Sequence, residues 1–154
     1  MTAVTATFKG LGIEFNYPAN WQISQDDTTD FPRTISVHSP SGAFWSLTMQ
    51  AGQMLPQVAA HDFKDAISAE YDQVDVTPIT VEIDGEDAVG YELDFYCLDF
   101  LVTCRVVAFE RNGLTLVLCY QGENRDYDQL FPVFEAVTHS LVRNLGESHA
   151  DESE

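Results

Sequence analysis

Between residues 76 and 121 the chain alternates apolar and polar side chains and is cut twice by a two-residue turn signal, Asp84-Gly85 and Asn112-Gly113. Asn-Gly and Asp-Gly supply the positive φ angles of a type I′ turn, whose twist matches two antiparallel strands. The pattern predicts strands at 76–83, 88–97, about 102–110 and 114–121 in sequential hairpins, and so commits the chain to a mainly antiparallel sheet. Apolar residues are dense at 93–97, and in 114–120 they occupy both parities. A strand apolar on both faces must be covered on both faces.

The rest of the chain supplies the cover. Ile13, Phe15 and Tyr17 alternate with polar residues, Trp21 and Ile23 resume that face after a Tyr-Pro-Ala-Asn turn, and 25–30 is a polar loop. Ile35 and Val37, the turn Ser39-Pro40-Ser41-Gly42, and Trp45, Leu47 and Met49 make another hairpin. The period then changes: Ala59, Phe63, Ala66, Ile67, Tyr71 and Val74 recur at three- and four-residue steps, predicting an amphipathic helix over 55–74 with Pro56 in its first turn. Tyr127, Leu130, Phe131, Phe134, Val137, Thr138 and Leu141 line a second helix over about 126–143, with a true start expected at Pro132. Strands, helix, four strands, helix describe an α+β fold, an antiparallel sheet sandwiched between helices. The expected organisation is one domain over 1–145, with 146–154 a disordered acidic tail.

Charge restricts the partners. Twenty-five acidic residues oppose seven basic ones, a net charge of −18 spread along the whole chain. Such a surface repels phosphate backbones and anionic headgroups, which argues against nucleic acid and membrane surfaces and favours cations, basic proteins or plain solubility. No window has the ~18 consecutive apolar residues of a membrane span. The opening MTAVTATFKGLGIEF carries no secretory pattern. Cys97, Cys104 and Cys119 are odd in number and lack CxxC spacing. These features together point to reduced thiols in a cytoplasm.

One hairpin breaks the rule of polar turns. In DFYCLDFLVTC, residues 94–104, the turn must be built from Leu98, Asp99, Phe100 and Leu101, where Gly, Asn, Asp, Pro or Ser are usual. Pairing Tyr91, Leu93, Phe95 and Cys97 with the face of Cys104, Val106 and Ala108 keeps Arg105 off that face and sets it beside Asp94 or Tyr96. Two registers satisfy this: a tight turn at Phe100-Leu101 with Cys97 opposite Cys104, which would allow a disulfide between them, or a loop over 98–101. The loop is favoured, because Phe and Leu resist positive φ. Either way Leu98, Phe100 and Leu101 stand at a tip beside Tyr96. The tip is covered by the N-terminal segment or the Met54-Leu55 loop, or it is a contact surface for a partner or a second copy.

Catalytic patterns are absent from the sequence. His38, His61, His139 and His149 have no metal-ligand spacing, and no serine sits in a GxSxG elbow. Gly10-Leu11-Gly12 lacks the third glycine of a dinucleotide fingerprint. Asp84-Gly85-Glu86-Asp87 lacks the spacing of a calcium loop, and the acids of 123–128 are explained by helix capping through Asp126 or Asp128. No cofactor or metal is expected.

GIEFNYPANW near the start, with its Tyr-Pro-x-x-Trp turn, the mid-chain helix, the long hairpin strands and a closing FEAVTHSLV with Phe134, Val137, Ser140 and Leu141 resemble the PsbP-like superfamily over about residues 12–143. That group includes the PsbP extrinsic proteins of photosystem II, a Ran-binding import factor, DcrB-like lipoproteins and the Eag chaperones of type VI secretion. The resemblance implies an antiparallel sheet between helices and a binding or assembly role without catalysis. No family metal ligand or GTPase-contact residue maps onto this chain, and the apolar tip departs from the family pattern in a way that suits a chaperone-like module. The expected function is therefore a non-catalytic protein-binding module with Tyr96, Leu98, Phe100 and Leu101 as contact residues, its partner a basic protein or a second copy. The alternative is a small-ligand binder or enzyme with a pocket between sheet and helix near Trp45, His38 or Cys119.

Overall fold

The computed structural model describes residues 4–26, 30–51 and 54–152, with side chains through Leu145. Its elements are β1 (Thr5–Gly10), β2 (Ile13–Pro18), β3 (Gln22–Gln25), β4 (Arg33–His38), β5 (Phe44–Ala51), α1 (Pro56–Glu70), β6 (Val74–Ile83), β7 (Glu86–Cys97), β8 (Phe100–Arg111), β9 (Leu114–Glu123) and α2 (Asn124–Glu152). The turn signals act as their chemistry predicts: Asp84 and Gly85 take φ of 52° and 83°, Asn112 and Gly113 57° and 77°.

Seven strands form one antiparallel sheet in the order β3-β4-β5-β9-β8-β7-β6, which confirms the α+β reading. β9 lies at the centre and is buried from Thr115 to Tyr120, so the prediction from its two apolar parities holds. One face carries Leu93, Phe95, Cys104, Val106, Ala108, Val117 and Cys119 beneath Ala59, Ala60, Phe63 and Ile67 of α1. The other carries Trp45, Leu47, Val107, Phe109, Leu118 and Tyr120 against α2 and against Phe15 of the β1–β2 hairpin. α1 packs on β7, β8 and β9. On the β4–β5 half of the α1 side the sheet presents Thr34, Ser36, Ser46 and Thr48 instead, with Thr34 and Thr48 hydroxyls 2.9 Å apart.

A buried polar chain fixes α2 on its face. Trp45 Nε1 donates to Thr138 Oγ1 (3.0 Å), the Tyr120 and Thr138 hydroxyls share a hydrogen bond, and Tyr120 donates to Glu135 (2.8 Å). Trp45, Tyr120 and Thr138 thereby keep partners for their polar groups, as desolvation demands, whereas the buried Tyr127 hydroxyl has none among the described residues.

Three expectations change. β1 was not foreseen; Leu11-Gly12, read as part of a lone GxG, is the turn that joins it to β2, with φ of 57° and 79°. α2 does not begin at Pro132 but eight residues earlier, and Pro132 lies inside it. Its N-terminus is capped by Glu123, whose carboxylate accepts the Arg125 N–H (2.9 Å), rather than by Asp126 or Asp128; Asp126 instead accepts from Ser41. The segment 146–154, expected to be a tail, lies outside the described side chains.

Candidate functional site

The β7–β8 turn is tighter than the sequence suggested. Cys97 pairs with Phe100 and Tyr96 with Leu101, leaving Leu98-Asp99 as a two-residue turn in which Leu98 takes φ 57°. Neither the loop over 98–101 nor the turn at Phe100-Leu101 forms. The predicted parity survives, since Leu93 opposes Cys104 and Tyr91 opposes Val106, but the register differs. A leucine in the left-handed region costs about 1–2 kcal/mol. The hairpin accepts that cost because this register pairs every residue from Val89 to Cys97 with one from Phe100 to Ala108.

The tip overhangs the sheet. β6 reaches only to Val74, opposite Phe95, and β9 ends at Glu123, opposite Val102. Tyr96, Cys97, Phe100 and Leu101 therefore form a ribbon with no strand on either side. Leu98 is 90% exposed, Tyr96 67% and Phe100 61%, while Leu101 is half-buried. The described residues of neither covering segment considered from the sequence reach them. Met54 packs with the α1 cluster and its carbonyl accepts from Thr115, and the chain start forms β1 against β2. By the alternation of the strands, Tyr96 and Leu101 share one face, Cys97 and Phe100 the other.

The base of the tip is rigid. Tyr71, just past α1, stacks on Phe95 at 4.1 Å, and burial, with Cys97 nearby, pushes its hydroxyl pKa up. Asn124 at the start of α2 donates to Thr103 (3.0 Å), and Thr103 donates to Asp94 (2.8 Å). Arg105 sits opposite Glu92, not Asp94 or Tyr96, and gives it two hydrogen bonds (2.7 and 3.1 Å) while lying 4.9 Å over the Phe131 ring. Burial opposes the charge on Arg105, yet Glu92 more than restores it, so its pKa is raised. Acids surround the tip: Asp99 in the turn, Asp94 directly opposite Asp75, Asp72 before β6, and Glu123 at the end of β9.

Of the residues named for an interior pocket, Cys119 does line one: a pocket of about 250 Å³ lies between the sheet and α1, walled by Phe44, Ser46, Phe63, Ile67 and Glu70. Trp45 is fully buried and points to the α2 face, Cys119 points to the α1 face, and His38 is exposed beside Phe44. Cys104 meets Cys119, not Cys97: their sulfurs are 3.5 Å apart and buried, and the hydrogen bond to Cys119, then desolvation, holds the Cys104 thiol well above its usual pKa. Their spacing in sequence gave no sign of this, because the β8–β9 register alone brings them together. Cys97 is exposed at the tip. Among the described residues no three His, Cys, Asp or Glu groups gather as metal ligands, and no helix is long and apolar enough to cross a membrane.

No protein-family model and no curated protein matches the chain. Solved structures do. Cyanobacterial PsbP of Synechocystis is similar over 91% of this chain and 92% of its own, with a TM-score of 0.61 and 13% identity. LpqN of Mycobacterium tuberculosis, involved in cell envelope biogenesis, matches over 89% of this chain and 87% of its own, with a TM-score of 0.52 and 12% identity. A Pseudomonas aeruginosa protein of unknown function covers 89% and 95%, with a TM-score of 0.50 and 16% identity. The fold is thus PsbP-like, as the opening Tyr-Pro-x-x-Trp turn and closing helix suggested. At these identities the likeness fixes the architecture and leaves the activity to the site.

Proposed function

We propose that this chain is a non-catalytic, chaperone-like protein-binding module whose contact surface is the overhanging β7–β8 tip. One observation carries the reading: a leucine held at positive φ stands almost fully exposed between two exposed aromatics, on a ribbon that no other described part of the chain covers. Stability alone favours Asn, Asp or Gly there, and an exposed apolar cluster rimmed by polar groups is the mark of an interaction site. Tyr96, Leu98, Phe100 and Leu101 supply the apolar contact. Asp72, Asp75, Asp94, Asp99 and Glu123 surround them and steer toward a basic target, in keeping with a net charge of −18. The cytoplasm is the compartment that suits three free thiols.

Cys97 provides the test, being an exposed thiol inside the surface itself. A photo-crosslinker attached there should trap a basic protein from the source cytoplasm, and Leu98→Asn with Phe100→Ser should abolish the adduct while circular dichroism stays unchanged. Adducts that persist in the double variant would sink the reading. Light scattering separates a foreign partner from a second copy.

A further inference from the structure

A second surface lies away from the tip, where the open end of the β1–β2 hairpin meets the middle of α2. Val4 and Pro18 on one side and Val133 and Ala136 on the other wall a groove of about 410 Å³, within the ~300–1,000 Å³ of small-molecule sites. Its floor is tied down. Ser140 accepts the Asn16 N–H (2.9 Å) and Asn144 Nδ2 donates to the Glu14 carbonyl (3.0 Å), so helix and hairpin cannot slide apart without breaking both. The Thr5 and Tyr17 hydroxyls on the walls can donate or accept, and the other polar side chains left over are donors. Thr7 donates to Asn16 Oδ1 (2.8 Å), which leaves Asn16 Nδ2 without a partner among the described residues, and Arg143 forms no ion pair among them. Lys64, Arg105 and Arg111 are matched with Asp65, Glu92 and Glu86, while Lys9, Arg33 and Arg125, like Arg143, form no ion pair among the described residues. Arg143 is the one basic residue, of those described, that lines this groove.

The geometry points to a binding site for an amphipathic monocarboxylate, its apolar body along Val133 and Ala136 and its carboxylate on Arg143 and Asn16 Nδ2. An inorganic anion gains nothing from the apolar walls, and an apolar cation or alcohol leaves the guanidinium unanswered. A single cation matches a single negative charge.

The test is calorimetric titration of the whole chain with decanoate and with decylamine, at about 0.15 M salt, where the Debye length is ≈ 8 Å and the general negative field is screened. Decanoate should bind saturably at one site and decylamine should not, against the sense of the net charge. Arg143→Gln should weaken decanoate about tenfold or more, as loss of one charge-assisted pair implies. Ala136→Trp, at an exposed helix position, should fill the groove and abolish binding without unfolding the chain. Equal affinity for the amine, an unchanged affinity in either variant, or no saturable decanoate binding below about 1 mM, where a site of roughly −4 kcal/mol would already show, would each overturn the assignment. So would binding that emerges only after deletion of residues 1–3, since the chain's own start would then be the occupant.

Discussion

Leu98→Asn should make the protein more stable while it removes the proposed function. Leu98 holds φ at 57°, a conformation that costs a non-glycine residue about 1–2 kcal/mol and that asparagine tolerates far better. The side chain gives little in return. It is 90% exposed, and full burial of a leucine is worth about 1.5–3 kcal/mol, so the tenth that is covered contributes only about 0.2 kcal/mol. The balance is a gain of roughly 1 kcal/mol, or about 2–4 °C in Tm for a chain of this size. Thermal unfolding of the wild type and variant, at two widely separated protein concentrations, measures it. A fall in Tm that grows with concentration would mean that a second copy buries Leu98, and a concentration-independent fall that the side chain packs within its own chain. Either result refutes the exposed, strained tip.

Four further outcomes follow from the same structure. Thr138→Val leaves Trp45 Nε1 without an acceptor, while the Tyr120 hydroxyl keeps Glu135, and should cost about 1–3 kcal/mol in urea unfolding. Gly90→Ala places a Cβ 1.8 Å from the Val106 carbonyl oxygen, on backbone that cannot swing away, and should cost about 3 kcal/mol or more by the same assay. Asp75→Asn relieves like charges set directly opposite at Asp94 and should raise stability by about 0.2–1 kcal/mol, a gain that shrinks as salt is added. Tyr120 and Tyr127 are held neutral chiefly by desolvation, which raises their folded pKa values above the unfolded value near 10. Their contribution is complete below about pH 10 and is lost as pH rises toward the folded values, at up to about 1.4 kcal/mol per pH unit for each group. Denaturant midpoints should therefore drop steeply above about pH 10, and Tyr120→Phe should flatten the drop; an unaltered slope would show that the hydroxyl is solvated.

Much of this architecture was written in local chemistry. Asp84-Gly85 and Asn112-Gly113 made two hairpins without help from the rest of the chain, because their φ preferences select the turn before any strand packs. The two apolar parities of β9 required cover on both faces and so placed it at the centre of the sandwich. The change from a two-residue to a 3.6-residue period located α1 and most of α2. The candidate site was visible as an anomaly, apolar residues where a turn should be polar; of the residues it pointed to, Tyr96, Leu98 and Phe100 are exposed and Leu101 is half-buried.

Tertiary structure decided whatever depended on long-range pairing. The turn at Leu98-Asp99 contradicts the local preference of leucine, and it forms because nine residue pairs of the β7–β8 ladder outweigh one strained φ. Pro132 stays inside α2 because Ser41 holds the helix at Asp126 before it, and Trp45 and Tyr120 hold it at Thr138 after it. Cys104 met Cys119 and not Cys97 through the β8–β9 register, which no spacing rule encodes. The groove beside Arg143 exists only where β1, unrecognised in the sequence, closes against β2 and α2. Local sequence sets turns, periods and faces through the φ and burial preferences of single residues. Register, overhang and grooves are sums over many weak contacts between distant segments, and those sums are settled only when the segments meet.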